Sequence, residues 1–197
     1  MNKGRMEAFS DGVLAVIITI MVLEMKPPHD PTLAALRPVL PVLLSYLLSF
    51  VYIGIYWNNH HHLLHAAQHV TGGILWANLH LLFWLSLTPF ATAWMGENHL
   101  ATWPVALYGT LLLLAGIAYF LLTKALVAHH GTDSALAASV GTDRKGRISL
   151  VGYAVAVPLA FVRPWIACAG YVLVAVMWLI PEPRIEKRLG KESLGSR

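Results

Sequence analysis

Charged residues are scarce in this sequence: Asp, Glu, Lys and Arg make up only 12% of its 197 residues. Soluble domains carry about 25% of such residues, so the composition excludes an ordinary soluble domain. Hydrophobic residues supply 57% of the chain. They recur in runs of roughly 17 to 25 residues, the length that crosses about 30 Å of hydrocarbon as a helix. The sequence therefore predicts an all-α integral membrane protein.

Cysteine is almost absent, since Cys168 is the only one. A single cysteine excludes an intramolecular disulfide and a cysteine-rich metal site. The first apolar run has Glu7 and Asp11 at its head and lacks the small-residue cleavage pattern of a signal peptide, so we expect it to be retained. The net charge of +4 needs no nucleic-acid partner, because anionic lipid and membrane topology account for the basic residues.

Six transmembrane spans are predicted. They cover residues 6 to 25, 38 to 57, 73 to 95, 102 to 127, 148 to 162 and 165 to 181. The second is expected to continue as a helix through the segment YWNNHHHLLHAAQHV, which contains no helix breaker before Gly72. Residues 1 to 183 would then form one six-span domain, and residues 184 to 197 a polar tail.

The distribution of basic residues predicts the orientation. With six spans, most of the 14 Lys and Arg residues fall on the side of both termini, and only Lys26, Arg37 and Arg163 fall on the other side. By the positive-inside rule, both termini are expected to be cytoplasmic in a multi-pass protein of the cell membrane.

One narrow stripe follows the helical period along the first span. It consists of Gly12, Val16, Thr19, Ile20 and Leu23. Because every face of this helix is apolar, the period alone also fits a helix that is simply buried or faces lipid. The polar head of the span, with Arg5, Ser10 and Asp11, weakens that interpretation, since an ionised Asp at a membrane needs a cationic or hydrogen-bonding partner.

A histidine cluster near the end of the second span can supply such partners. Its members are His60, His61, His62 and His65. Spacings of three and four residues place pairs on one helix face, close enough to share a metal or to bind a carboxylate. A membrane metalloenzyme would need further ligand clusters, and the chain offers only residues 129 and 130 and no HExxH motif. A structural role beside Asp11 is therefore favoured over a metal site.

The third span carries polar side chains at membrane depth. They are Asn78, His80, Ser86, Thr88 and Thr92, and such groups commonly tie membrane helices together. Pro89 predicts a kink within this span. The segment LVGYA at 150 to 154 lacks the Thr and the second Gly of the TVGYG potassium filter, so no carbonyl filter is expected.

A family resemblance rests on a motif in the first span. Arg5, Phe9, Ser10 and Asp11 form the pattern R-x-x-x-F-S-D, which is followed by GVLAVIITI. This pattern resembles the first-helix signature of the transmembrane protein 175 family, the lysosomal potassium channel and its prokaryotic homologues. Further agreements follow in the expected order: the YW..HH pattern of residues 56 to 61, the segment from Asn78 to Phe83, and TPF at 88 to 90. The resemblance covers the six-span length of a prokaryotic member.

The resemblance implies a homotetramer whose pore is lined by four copies of helix 1 around a four-fold axis. It implies a potassium-preferring cation channel, with potassium as the permeant ion and no cofactor or resident metal. The family's constriction is formed by large aliphatic residues that correspond here to Val16, Ile20 and Leu23. Thr19, beside this line, is a candidate for selectivity, although its hydroxyl could equally bond its own helix backbone.

The resemblance also assigns roles to the polar residues. Those at the beginning of helix 1 would form a polar clasp with helices 2 and 3: Arg5, Phe9, Ser10, Asp11, Trp57, His60, His61 and Asn78. Glu24 would lie at the other pore mouth and attract cations, unless it pairs with Lys26. The 10 histidines make pH-sensitive flux an expectation. A proton-coupled secondary transporter remains an alternative, and a histidine-ligated enzyme a weaker one.

Overall fold

The described part of the chain, residues 3–131, 133–141 and 143–180 of a computed structural model, is helical throughout its regular elements. Its α-helices are α1 (Lys3–Leu23), α2 (Leu40–Ala66), α3 (Gly72–Ser86), α4 (Thr88–Glu97), α5 (Thr102–His130), α6 (Ala135–Val140), α7 (Arg144–Leu159) and α8 (Pro164–Leu179). A 3₁₀ segment, Leu33–Val39, precedes α2. The all-α prediction is confirmed. The polar tail at 184 to 197 lies outside the described residues.

Among the described residues, four segments are long and apolar enough to cross a membrane: Lys3–Leu23, Leu33–Ala66, Gly72–Glu97 and Thr102–His130. They correspond to the first four predicted spans. The fifth and sixth correspond to α7 and α8, which have 16 residues each. At about 1.5 Å per residue such a helix extends about 24 Å, shorter than the four long segments.

Two local predictions can be compared directly with the helices. The histidine-rich segment is helical as expected, but α2 ends at Ala66, before Gly72, and residues 67 to 71 connect it to α3. The kink predicted at Pro89 is confirmed, because α3 ends at Ser86 and α4 begins at Thr88. Pro89 has no N–H to donate to the carbonyl four residues earlier, which interrupts the helical ladder at this point.

The long helix α5 packs against α3, α7 and α8. Small residues allow these close approaches: a Cβ atom added at Gly109 would overlap the hydroxyl of Tyr171, and one at Gly116 would press on Leu150. The first helix lies at the edge of this bundle and contacts α2, α3 and α4. One side of α1 is therefore packed within the chain, and the other is not.

Candidate functional site

The packed side of α1 follows the helical period closely. Its buried residues are Met6, Ser10, Leu14, Ile17 and Met21. They recur at intervals of three or four residues, so they form one continuous stripe along the 21-residue helix. The apolar members join a hydrophobic cluster that also includes residues of α2, α3 and α5. This packing fixes how α1 is rotated relative to the rest of the chain.

The opposite side of α1 is an exposed aliphatic face. Val16, Ile20 and Leu23 are exposed to 54%, 40% and 78%. Gly12 and Thr19 are also exposed. These are the five residues of the stripe predicted from the helical period. Among the described residues of the chain, none covers this apolar face.

The hydroxyl of Thr19 is bonded within its own helix. Its Oγ1 donates to the carbonyl oxygen of Val16 at 2.9 Å. This is the alternative that the sequence left open, and it uses the one proton of the hydroxyl. The lone pairs of Oγ1 remain available on the exposed face.

A chain of three hydrogen bonds joins the packed side of α1 to α3 and α2. Nε2 of His60 lies 2.7 Å from Oδ1 of Asn78, whose Nδ2 donates to Oγ of Ser10 at 2.9 Å. The Ser10 hydroxyl in turn donates to the carbonyl of Met6 at 2.8 Å. Since the Asn78 amide donates through Nδ2, its Oδ1 must accept, which places the imidazole proton of His60 on Nε2. Each bond then has a defined direction.

All three side chains of this network are buried, at 2% exposure for His60, 1% for Asn78 and 0% for Ser10. Within the described residues, Nδ1 of His60 has no hydrogen-bond partner. Buried polar groups are costly unless they are paired, so losing one member would leave its partner unsatisfied. The network thus adds a strong directional constraint to the apolar packing of α1.

Two side-chain contacts nearer the surface also connect α1 to α2. Nε1 of Trp57 donates to Oδ1 of Asp11 at 3.1 Å, and Nδ1 of His61 lies 3.3 Å from Oε1 of Glu7. The Trp57 and His61 rings stack at 6.2 Å between centroids. Glu7 and Asp11 are four residues apart on α1, and so are Trp57 and His61 on α2. The later residue of one helix contacts the earlier residue of the other, as expected for antiparallel neighbours.

Two predicted members of the clasp lie apart from these contacts. Arg5 is exposed, and Phe9 is 55% exposed. In the part of the chain that the structure describes, neither makes a hydrogen bond, an ion pair or a ring contact. The structure therefore brings together Ser10, Asn78 and His60 in one network, and the surface pairs of α1 and α2 in another.

At the other end of α1, Glu24 is exposed. Lys26, its suggested partner, instead lies 3.9 Å from the carboxylate of Glu97, between two exposed side chains. Within the described ranges, no ion pair involves Glu24. The same described residues contain no group of three or more His, Cys, Asp or Glu side chains arranged to hold a metal ion.

The third-span polar residues differ in what they tie together. Thr92 bonds Ser49 of α2 at 2.7 Å, and Ser49 bonds the hydroxyl of Tyr108 on α5 at 3.0 Å. His80 instead accepts from Trp84 on its own helix, and Ser86 donates to the carbonyl of Phe83. Only the buried polar residues therefore connect different helices.

Sequence reasoning missed two residues near the beginning of α1. Glu7 contacts His61, and Nζ of Lys3 donates to the carbonyl of Ala67 at 3.0 Å. The first had a signal in the sequence, because Glu7 precedes Asp11 by the same four residues that separate Trp57 from His61. The second had none, since its acceptor is a backbone group.

Comparison with protein-family models finds the family described as "Endosomal/lysosomal potassium channel TMEM175", matched over residues 5–89. This range contains the R-x-x-x-F-S-D motif and every residue of the hydrogen-bond network described above. A potassium channel of Chryseobacterium sp. (strain P1-3) is 53% identical over 189 residues, which cover 96% of this chain and 98% of that protein. A potassium channel of Streptomyces collinus is 31% identical, covering 90% of this chain and 91% of that protein.

The fold agrees with a solved channel structure. The crystal structure of a lysosomal potassium-selective channel TMEM175 homolog from Chamaesiphon minutus matches with a TM-score of 0.78 and 28% identity, over 90% of this chain and 96% of that one. The human endosomal/lysosomal proton channel TMEM175 is 35% identical over 75 residues, which cover 32% of this chain and 15% of the human protein.

Proposed function

The chain belongs to the TMEM175 family of ion channels, and from this premise we propose that it is a potassium-preferring cation channel of the cell membrane. The family and the relatives with high coverage are channels and not enzymes, so the metalloenzyme alternative is set aside. Two bacterial relatives are named potassium channels, and these names support potassium as the permeant ion. We propose that residues 1 to 183 form the channel domain.

The observation that carries the proposal is the exposed aliphatic face of α1. Val16, Ile20 and Leu23 are uncovered within the subunit, although the opposite side of the same helix is fully packed. An apolar exposed face also suits lipid, and what favours the pore is that these three residues follow the R-x-x-x-F-S-D motif at the positions that the family resemblance assigns to the constriction. We propose that four subunits assemble around an axis so that these faces line the pore.

The proposed tetramer has six spans per subunit, formed by α1, α2, the broken helix α3 with α4, α5, α7 and α8. An even number of spans places both termini on one side, and the distribution of Lys and Arg supports the cytoplasmic side. Permeation needs no cofactor in this arrangement.

We propose that the rings of aliphatic side chains gate by dewetting. A narrow apolar ring excludes water, and a cation that has lost its hydration cannot cross; a slightly wider ring holds a wetted column through which ions pass. Removing water costs less for the larger potassium ion than for sodium, which would favour potassium. The Thr19 oxygen, with its proton donated to Val16, can offer lone pairs to the ion and is proposed to contribute to this preference.

The remaining predicted site residues would support the pore helix. Ser10, Asp11, Trp57, His60, His61 and Asn78 would hold the rotation of α1 within each subunit. Arg5 and Phe9, which are exposed within the subunit, would contact a neighbouring subunit in the tetramer. Glu24 would form a ring of carboxylates at the pore mouth opposite the clasp.

The test is potassium efflux from liposomes that contain the purified protein, with a proton ionophore to clamp the voltage, repeated with sodium. We expect faster flux of potassium than of sodium. Ile20→Asn should raise the flux and reduce the discrimination, because an amide in the ring keeps the pore wetted. Ile117→Asn is a matched control, since Ile117 on α5 is exposed to a similar extent, 37% against 40%. Equal effects of both substitutions would remove Ile20 from the constriction.

The same assay separates the remaining alternative. Without the ionophore, a transporter that exchanges one proton for one potassium ion would still release potassium, because the exchange moves no net charge, whereas a channel needs the ionophore to return the charge. Proton flux without potassium would instead align the chain with the function named for the vertebrate relatives.

A further inference from the structure

His130, the last residue of α5, holds the connection between α2 and α3 through its imidazole ring. Its Nδ1 lies 2.9 Å from the carbonyl oxygen of Leu126. Its Nε2 accepts from the backbone N–H groups of Gln68 at 3.0 Å and His69 at 3.2 Å. Two N–H donors that converge on one nitrogen require a lone pair there, so the single imidazole proton is on Nδ1 and is donated to Leu126. The surroundings of His130 thus demand a neutral ring in one tautomer.

The connection held in this way is itself attached to the beginning of α1. The carbonyl of Ala67 accepts from Nζ of Lys3 at 3.0 Å. The side chain of Ala67 is buried with Val70 in the cluster that also packs α1. A short path of polar contacts therefore runs from the end of α5, through residues 67 to 69, to the first residue of α1 that the structure describes.

Protonation would break this path at one atom. A protonated Nε2 carries a hydrogen that points at two N–H donors, and none of the three groups can then accept. Both backbone groups would lose their acceptor, and the positive ring would repel their partial charges. An open cavity of about 210 Å³, lined by Ala66, Gln68, His130, Ser134 and Leu136, lies beside the ring.

The other titratable groups around His130 do not offset this effect. The ring of His129 lies 5.2 Å from that of His130, measured between centroids; His69 lies in the bound connection, and Lys3 bonds the carbonyl of Ala67 in the same connection. All three are basic. The turn before α6 contains Asp133, which is exposed, and within the described residues no carboxylate is within ion-pair distance of His130.

We propose that His130 is a pH-sensitive tie that regulates the pore helix: the neutral ring anchors the beginning of α1 through residues 67 to 69, and protonation releases it. The regulatory part rests on the proposed function of α1 as the pore helix. Release increases the freedom of α1 to rotate, so acidification on this side of the membrane raises potassium flux. The surface pair of His61 and Glu7 responds in the opposite sense, because protonation of His61 would strengthen it.

The first experiment measures the tie without reference to ion flux. Backbone hydrogen exchange of the segment 66 to 71 is followed in the reconstituted full-length protein from about pH 8 to about pH 5, the range in which histidine titrates, and corrected for intrinsic exchange. Protection of the Gln68 and His69 amides should fall by about tenfold or more on acidification. In His130→Gln, whose amide oxygen is a neutral acceptor, protection should stay constant. His129→Gln is the matched control and should behave as the wild type.

The second experiment measures potassium flux of the same variants. Acidification should raise the wild-type flux by about threefold to tenfold, the factor that corresponds to one net hydrogen bond. This rise should vanish in His130→Gln. It should also vanish in Lys3→Met, which removes the attachment to α1 but leaves the two bonds to His130 and their exchange behaviour intact.

The outcomes distinguish the two proposals. If the amides stay protected at low pH in the wild type, the tie is overturned, whether or not the protein conducts. If the amides are released but the flux of wild type and His130→Gln changes equally with pH, the regulatory role is overturned. If no ion flux occurs under any condition, the channel function fails, and the exchange data still decide whether His130 holds the connection.

Discussion

Asn78 of α3 donates a buried hydrogen bond of 2.9 Å to Ser10 of α1, although the two residues are 68 positions apart in the chain. The same amide accepts from His60 of α2. One side chain therefore connects three helices and helps to determine which face of α1 is packed. The exposed face that we propose as the pore lining is the consequence of that rotation.

Replacing Asn78 by Ala should lower the stability of the subunit. The substitution removes two hydrogen bonds and leaves the buried His60 ring unsatisfied, at a cost of about 2 to 4 kcal/mol. Thermal unfolding in detergent measures this loss. Asn98→Ala is the control, because the exposed Asn98 amide bonds only the carbonyl of Trp94 in its own helical turn. A stability loss as small as that of the control would show that the buried network contributes little.

The two faces of α1 should differ in their reaction with thiol reagents. With Cys168→Ala as background, Ile20→Cys and Leu23→Cys should react with a water-soluble thiol reagent and be joined between subunits by a short bifunctional one. Ile17→Cys should do neither, since Ile17 is only 3% exposed within the subunit. Mass spectrometry and gel mobility report the two reactions. Cross-linking through position 17 in place of 20 and 23 would contradict the proposed pore face.

Removing the hydroxyl of Thr19 should reduce ion discrimination. Thr19→Val keeps the shape of the side chain but deletes the oxygen that bonds Val16 and faces away from the packed side. We expect the potassium-to-sodium flux ratio to fall by about twofold to threefold, on the scale of one weak oxygen contact. Thr19→Ser retains the oxygen and should preserve the ratio. An unchanged ratio in Thr19→Val would show that the hydroxyl serves only its backbone bond and does not contribute to selectivity.

Neutralising Glu24 should lower the conductance in a salt-dependent way. Four carboxylates at one pore mouth raise the local cation concentration, and their field extends about 30 Å at 0.01 M salt but about 3 Å at 1 M. Glu24→Gln should therefore reduce potassium flux by about twofold at low salt and have little effect at high salt. Glu97→Gln is the matched control, because this exposed carboxylate is paired with Lys26. Equal effects of the two variants at every salt concentration would contradict the placement of Glu24 at the pore mouth.

Much of the architecture follows from local patterns in the chain. The lengths of the apolar runs predicted the four long membrane segments and the two shorter helices, and Pro89 predicted the break between α3 and α4. The motif at the beginning of α1 identified the family, which the comparisons confirm. The end of α2 could not be predicted from the sequence, because no Gly or Pro follows Ala66 directly. The backbone groups beyond it bond side chains of α5 and α1 instead.

By itself the sequence determined the helical membrane class, the family and the stripe of residues that includes Val16, Ile20 and Leu23. These properties depend on hydrophobicity and on the helical period, which act over a few turns of one helix. Only the tertiary structure decided which side of α1 is covered, since that depends on Ser10 meeting Asn78 from another helix. It also decided the hydrogen bonds of His130, because the two backbone N–H groups that require its lone pair lie more than 60 residues away and carry no mark in the sequence.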